Sequence, residues 1–158
     1  VEAPHGIKLV PGASGIQNLA ALNKSQTAAI ISAFSEIESE IDFLIVDMAA
    51  GLSDSVMTFL CACQKRYIVV KNEPSSIADA YATIKVMLQD FNLNNISLIP
   101  NGVISQKDGV RLSKNINTVI KNFLGGNVDY LHSITFDEMI FQEKVLSQSA
   151  FRHAPRAH

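Results

Sequence analysis

Short apolar segments alternate along this chain with longer segments of helical period, and that alternation limits the possible folds most strongly. The apolar segments are rich in Ile, Val and Leu and cover residues 7–10, 43–47, 67–71, 96–100 and 128–132. Continuous apolar runs are typical of strands that are buried on both faces of a parallel sheet. The pattern therefore predicts an α/β fold, a doubly wound and mainly parallel sheet with helices on both faces.

Apolar residues three and four positions apart predict the helices between these strands. They recur over residues 30–41 and again over residues 77–91. A further helix is expected after Ser105, because Ser105 and Asp108 have the spacing of a capping box. A last helix is expected from about Asp137.

Length and composition indicate one domain, which we place at residues 1–150, with a frayed tail at 151–158. The hydrophobic fraction of 47% is too high for a disordered chain. No apolar run reaches the roughly 18–20 residues of a membrane span. A net charge of −2 gives no basic excess of the kind that binds nucleic acid. Cys61 and Cys63 would diverge by about 200° around a helix, so they predict neither a metal site nor a redox site.

Polar or Gly-rich segments follow all five predicted strands, where open α/β sheets bind their ligands. These segments are residues 11–15, 47–53, 72–76, 101–102 and 133–137. The first is not a phosphate-binding P-loop, because the chain contains no GxxxxGK followed by Ser or Thr. We interpret it as a tight turn. Helix capping accounts for Ser76 at the end of the third segment and for Asp79 three residues later.

Asp47 is the strongest single candidate for chemistry. It ends an apolar run, which places a carboxylate at a strand tip, and Gly51 follows four residues later. Many phosphate-transfer sites hold Mg²⁺ and approach the γ-phosphate in this way. A strand-end carboxylate that caps the helix at Ser53 is the alternative. Asn101 has two open interpretations as well, recognition of a base edge or a turn beside Gly102.

Three segments resemble the MinD/ParA ATPases, and most closely their FlhG/FleN branch of flagellar-number regulators. Residues 43–59, FLIVDMAAGLSDSVMTF, resemble the Walker B and switch II segment. Residues 73–85, EPSSIADAYATIK, resemble the EPxSIxDAY segment of that branch, and residues 5–17, HGIKLVPGASGIQ, resemble the strand and loop before switch II. The resemblance implies an incomplete P-loop NTPase-like fold that lacks the Walker A and switch I segments.

The resemblance also implies roles for single residues. Asp47 would hold the Mg²⁺ shell through water, and Gly51 would lie in the switch that senses the γ-phosphate. Asn101 would contact adenine, while Asp137 would border the base pocket beside Thr135. Two positions depart from the family near this pocket: Thr135 stands where Pro is usual, and residue 102 is Gly where Arg is frequent.

The family implies ATP and Mg²⁺ as ligands of the complete protein, which would be an ATP-dependent homodimer with flagellar regulatory proteins as partners. It implies a cytoplasmic location, with peripheral contact at the inner membrane or cell pole through a segment outside this chain. The lack of a basic excess predicts no nucleic acid partner. Since the Walker A loop is missing, we expect no ATP hydrolysis by these residues alone. The central strand that precedes this loop in the family is missing as well, so we expect exposed apolar edges in the sheet. Two alternatives stay open: a degenerate, non-enzymatic interaction module, or a MinD/ParA relative in cell division or DNA partitioning.

Overall fold

The computed structural model describes residues 2–3, 6–10, 23–49 and 51–139. The chain divides into two compact units, Val1–Cys63 and Gln64–His158, and each is described by itself. The predicted tight turn at residues 11–15 and the predicted tail at 151–158 lie outside the described residues, as does most of the helix expected from Asp137.

The first unit contains two helices and a short antiparallel strand pair. Its elements are β1 (Glu2–Ala3), β2 (Ile7–Lys8), α1 (Lys24–Glu36), a 3-10 turn (Glu38–Glu40) and α2 (Asp54–Ala62). The side chain of Asn23 accepts a hydrogen bond from the Gln26 N–H at 2.9 Å, and Gln26 returns one to the Asn23 N–H at 3.0 Å. This capping box satisfies two backbone donors and fixes the start of α1. α1 packs against α2.

Both strands predicted for this unit differ from the structure. β2 ends at Lys8 and runs antiparallel to β1, and residues 43–49 form no strand. A strand needs a neighbour that pairs with its backbone N–H and C=O groups, and no described segment pairs with these residues. Phe43 and Ile45 are consequently 88% and 89% exposed, but they lie in no described strand and so do not form the exposed sheet edge expected from the sequence.

The second unit is built on a parallel sheet, which confirms the α/β prediction. Its strands are β3 (Arg66–Val70), β4 (Ile96–Val103), β5 (Asp129–Tyr130) and β6 (Ile134–Thr135). β4 is the central strand: it pairs with β3 along one edge and with β5 and then β6 along the other, always in parallel. The fifth predicted strand, residues 128–132, is thus split into two short strands with an interruption between them.

Two helices cover one face of this sheet. α3 (Pro74–Gln89) connects β3 to β4, and α4 (Gln106–Leu124) connects β4 to β5. Because both crossovers step the same way across the sheet and such crossovers are right-handed, the helices lie on the same face. They also contact each other. We predicted helices on both faces, but among the described residues of this unit the opposite face is uncovered, and Tyr67 and Val69 on β3 are about half exposed.

The core lies between these two helices and β4. Its buried apolar side chains come from both layers and include Ile84 and Met87 of α3, Ile116 and Ile120 of α4, and Val70, Ile96 and Leu98 of the sheet. None of the described helices is long and apolar enough to cross a membrane.

The ends of α3 and α4 have clear local causes. α3 begins at Pro74, whose fixed φ suits the first helical position, while the Ser76 hydroxyl accepts a hydrogen bond from the Lys71 N–H at 3.0 Å. α4 begins after Ser105, as its capping spacing predicts. It ends at Gly125, which has a left-handed φ of 66°.

α4 approaches the sheet most closely at Gly109. A Cβ on Gly109 would lie 2.7 Å from the Cβ of Ser133 and 3.3 Å from the Cβ of Pro100. One turn later Ser113 is 3% exposed, and its hydroxyl has no hydrogen-bond partner in the part of the chain that the structure describes. The same helix face therefore contains one residue that must be small and one buried hydroxyl that is unsatisfied.

These two positions give opposite stability predictions. Gly109→Ala should lower the free energy of unfolding by about 2 kcal/mol through overpacking, although alanine favours a helix over glycine by about 1 kcal/mol. Ser113→Ala should raise it by about 1 kcal/mol, because it removes a buried hydroxyl without a partner. Urea unfolding, followed by backbone amide signals of the second unit, measures both. A Gly109→Ala variant at least as stable as the wild type would contradict the close packing.

The exposed apolar side chains of residues 43–45 give a second prediction. Replacing both Phe43 and Ile45 by Ser should reduce the fluorescence of a bound hydrophobic dye about twofold, since such probes bind contiguous apolar patches. Ile104→Ser is the matched control, because Ile104 is 92% exposed but its neighbours in sequence are the buried Val103 and the polar Ser105. An equal decrease in the control variant would show that residues 43–45 form no special patch.

Candidate functional site

The predicted site residues fall into two groups, one in each unit. Asp47 and Gly51 belong to the first unit, whereas Asn101, Thr135 and Asp137 belong to the second. Each group has a local geometry that bears on its chemistry.

Asp47 presents an exposed carboxylate four residues before Gly51. It makes no ion pair or hydrogen bond with another described residue. Gly51 has a φ of 115°, which side chains with a Cβ rarely adopt, and a Cβ there would meet no atom within 4 Å. The cap of α2 is provided by Ser53, which accepts a hydrogen bond from the Val56 N–H at 3.4 Å. The capping alternative for Asp47 is therefore not what the structure shows.

The chemistry at Asp47 suits a metal that is held through water. An uncommitted carboxylate can accept hydrogen bonds from the water shell of Mg²⁺, which keeps several waters in most protein sites. The described residues contain no cluster of three His, Cys, Asp or Glu that would enclose a metal directly. The donor set fits an outer-sphere Mg²⁺ ligand and not a closed metal centre.

Asn101 and the segment at residues 134–137 are joined by backbone pairing. Asn101 is the register partner of Ile134, and the Phe136 N–H donates to the Val103 carbonyl at 2.8 Å. This pairing brings Thr135 and Asp137 beside the carboxyl end of β4. The three predicted residues Asn101, Thr135 and Asp137 thus form one group, which we call the β4–β6 cluster.

Two compensating irregularities in the pairing flank Asn101. Leu98 pairs with Tyr130 and Asn101 with Ile134, so the β5–β6 side has one more residue than β4 between these two pairs. Val103 then pairs with Thr135, so β4 has one extra residue, Gly102, directly after Asn101. Gly102 has a φ of 69°, so a Cβ at this position would be strained. Bulges re-aim side chains and are frequent beside functional sites. The turn interpretation of residues 101–102 and the recognition interpretation of Asn101 are therefore compatible.

The β4–β6 cluster offers several polar groups to a ligand. The Asn101 side chain is half-buried, and its amide has no hydrogen-bond partner among the described residues. It can both donate and accept, as recognition of a base edge requires. Thr135 is exposed, and the Asp137 carboxylate accepts a hydrogen bond from the Met139 N–H at 2.8 Å. The Phe136 side chain between them is also exposed.

A polar bridge behind this cluster was not predicted. The Gln106 amide donates to the Ser133 carbonyl at 2.9 Å, and the Tyr130 hydroxyl donates to Gln106 Oε1 at 3.0 Å. The Tyr130 hydroxyl also lies 3.1 Å from Ser133 Oγ. We call these three residues the Tyr130 bridge. The only sequence signal for the bridge is Ser133, a serine that directly follows the apolar segment 128–132. This signal does not identify Tyr130 and Gln106 as its partners.

An apolar groove of about 410 Å³ runs between α3 and α4. Residues from both helices line it, among them Ile77, Tyr81, Leu112, Asn115 and Val119. In the other unit, Cys61 lies in the last turn of α2 and Cys63 is the C-cap residue of that helix.

Two curated proteins are similar to this chain. It is 36% identical over 154 residues to the antiactivator FleN of Pseudomonas aeruginosa, and this alignment covers 98% of the chain and 55% of FleN. It is 31% identical over 134 residues to the flagellum site-determining protein YlxH of Helicobacter pylori, and this alignment covers 84% of the chain and 45% of YlxH. No protein-family model matches the chain.

The chain therefore spans about half the length of the curated relatives it matches. The similarity extends over nearly all of its own length and confirms the resemblance found in its sequence motifs. This chain is a homologue of FleN and YlxH, in the FlhG/FleN branch of the MinD/ParA family.

Proposed function

We propose that this chain is the C-terminal portion of a MinD-like, ATP-dependent dimerisation switch that regulates flagellar number or placement. The similarity to FleN and YlxH supports the flagellar role. The observation that carries the nucleotide role is the β4–β6 cluster, in which parallel pairing brings Asn101 beside Thr135 and Asp137.

In this proposal the β4–β6 cluster binds adenine. The Asn101 amide reads the polar edge of the base, and Thr135 and Asp137 border the pocket. A half-buried amide without a hydrogen-bond partner carries a desolvation cost that no hydrogen bond offsets. Hydrogen bonds to a base would offset part of this cost. This gain favours a base that offers both a donor and an acceptor.

The phosphate end of the nucleotide belongs to Asp47 and Gly51. Bound Mg²⁺ supplies positive charge that neutralises the phosphate oxygens. Asp47 orients water in the shell of the ion, and the turn at Gly51 lets the backbone approach the γ-phosphate. These 158 residues contain no P-loop lysine, so hydrolysis is a property of the full-length parent.

In this proposal ATP stabilises a homodimer, and hydrolysis of ATP lets the dimer dissociate. A ligand shifts such an equilibrium only by its differential affinity for the two states, so the nucleotide must be bound better in the dimer. Flagellar regulatory proteins are the proposed partners, and the groove between α3 and α4 is a candidate surface for them. The proposed location is cytoplasmic, with peripheral membrane contact through a segment outside this chain and no role for nucleic acid.

Substitution of Asn101 tests nucleotide recognition. Asn101→Ala should weaken binding of ATP with Mg²⁺ about tenfold, because it removes a hydrogen-bonding pair from a partly desolvated site. Titration of the ¹⁵N-labelled chain, followed by amide chemical shifts, measures the affinity. Asn122→Ala is the matched control, since Asn122 is an exposed asparagine on α4. Equal affinities of the Asn101 variant and the wild type would contradict the proposed role of Asn101. A wild-type chain that binds no nucleotide would favour the non-enzymatic interaction module.

A second prediction concerns hydrolysis. The purified chain should release no phosphate from ATP and Mg²⁺ above the rate without protein, because the P-loop lysine is absent from its sequence. A phosphate-release assay with the wild type and Asp47→Ala measures this. Mg²⁺-dependent hydrolysis that disappears in Asp47→Ala would refute the assignment of hydrolysis to the parent alone.

A further inference from the structure

We propose that the Tyr130 bridge holds residues 134–137 in register with β4, so that Tyr130, Gln106 and Ser133 are positioning residues for the base site. The inference rests on the proposed binding of adenine at the β4–β6 cluster. None of the three residues needs to touch the base, because they act through the position of the β6 strand.

The bridge joins the start of α4 to the interruption between β5 and β6. Gln106 is the first residue of α4, and its side-chain amide holds the carbonyl of Ser133. Ser133 directly precedes β6. Tyr130 is the last residue of β5, and its hydroxyl reaches both of the others. Both ends of the interruption are therefore tied to a single helix residue.

Packing fixes the same point from the helix side. Ser133 is only 2% exposed, and its side chain fills the space that a Cβ on Gly109 would need. Pro100 of β4 lies close to the same space. Ser133 thus sits between α4 and β4, and its hydroxyl finds its polar partner in Tyr130.

The register of the cluster depends on this point. The extra residue on the β5–β6 side is absorbed at the interruption, directly before Ile134 pairs with Asn101. A shift by one residue would turn every following side chain to the other face of the sheet. Thr135 and Asp137 keep their positions relative to Asn101 only while the extra residue stays in the interruption. The bridge supplies the hydrogen bonds that hold it there.

Two substitutions separate positioning from general stability. Tyr130→Phe removes one hydroxyl from the bridge. Gln106→Glu replaces the amide donor by an oxygen that repels the Ser133 carbonyl, yet an acidic residue in the first turn of α4 favours the helix. Tyr67→Phe is the matched control, because Tyr67 is a half-exposed strand tyrosine outside the bridge.

The experiment titrates the ¹⁵N-labelled full chain with adenosine and, separately, with guanosine. Nucleosides are the appropriate probes because they carry no phosphate for the absent P-loop. Tyr130→Phe and Gln106→Glu should each weaken adenosine binding about fivefold, the loss expected from one positioning hydrogen bond, and should reduce the preference for adenosine over guanosine. Gln106→Glu should do so without lowering the melting temperature, and Tyr67→Phe should behave like the wild type.

The outcomes separate the inference from the proposed function. If the wild type binds adenosine and both bridge variants bind it equally well, the positioning role is overturned while the proposed function stands. If both variants lose affinity for adenosine and guanosine in equal proportion and also melt earlier, the bridge is merely structural and the inference again fails. If the wild type binds no adenosine, the proposed function falls and the inference with it.

Discussion

Backbone pairing along β4 is the constraint on which the second unit depends. β4 is the one described strand of this unit that has neighbours on both edges, and it carries Asn101 near its carboxyl end. The helices that connect it to β3 and β5 pack on one face and bury its apolar side chains. Because β6 pairs with the last residues of β4, residues from two distant parts of the sequence form one polar cluster. The candidate site is therefore a consequence of strand pairing and not of a single loop motif.

The first unit shows what happens to the same kind of sequence without such pairing. Residues 43–47 are as apolar as the segment that forms β4, yet they form no strand and expose Phe43 and Ile45. Period and composition predict where a strand is possible. The hydrogen bonds that make it a strand come from a neighbour, and no described neighbour provides them.

The helices were the features that the sequence predicted best, whereas Ser76 and Asp79 do not cap α3 as predicted, because α3 begins at Pro74 without a side-chain cap. The apolar period of residues 77–91 predicted α3, and the capping residue Ser105 predicted the start of α4. Both predictions succeeded because these signals are local in sequence. The resemblance to the MinD/ParA family identified Asn101, Thr135 and Asp137, which the structure brings together. The Tyr130 bridge was not predictable, since its three residues belong to different elements and meet only because Gly109 lets α4 approach Ser133. Likewise, the split of the fifth strand has no local signal, and Ser133 in the interruption packs closely against Gly109 of α4.

The central claim is that adenine binds at the β4–β6 cluster. The most direct measurement is a set of nuclear Overhauser contacts between the base protons of bound adenosine and the methyl and aromatic protons of the chain. We predict contacts from the base protons to the Thr135 methyl group and the Phe136 ring. Contacts to Ile77 and Tyr81 instead would place the base in the groove between α3 and α4 and would contradict the account.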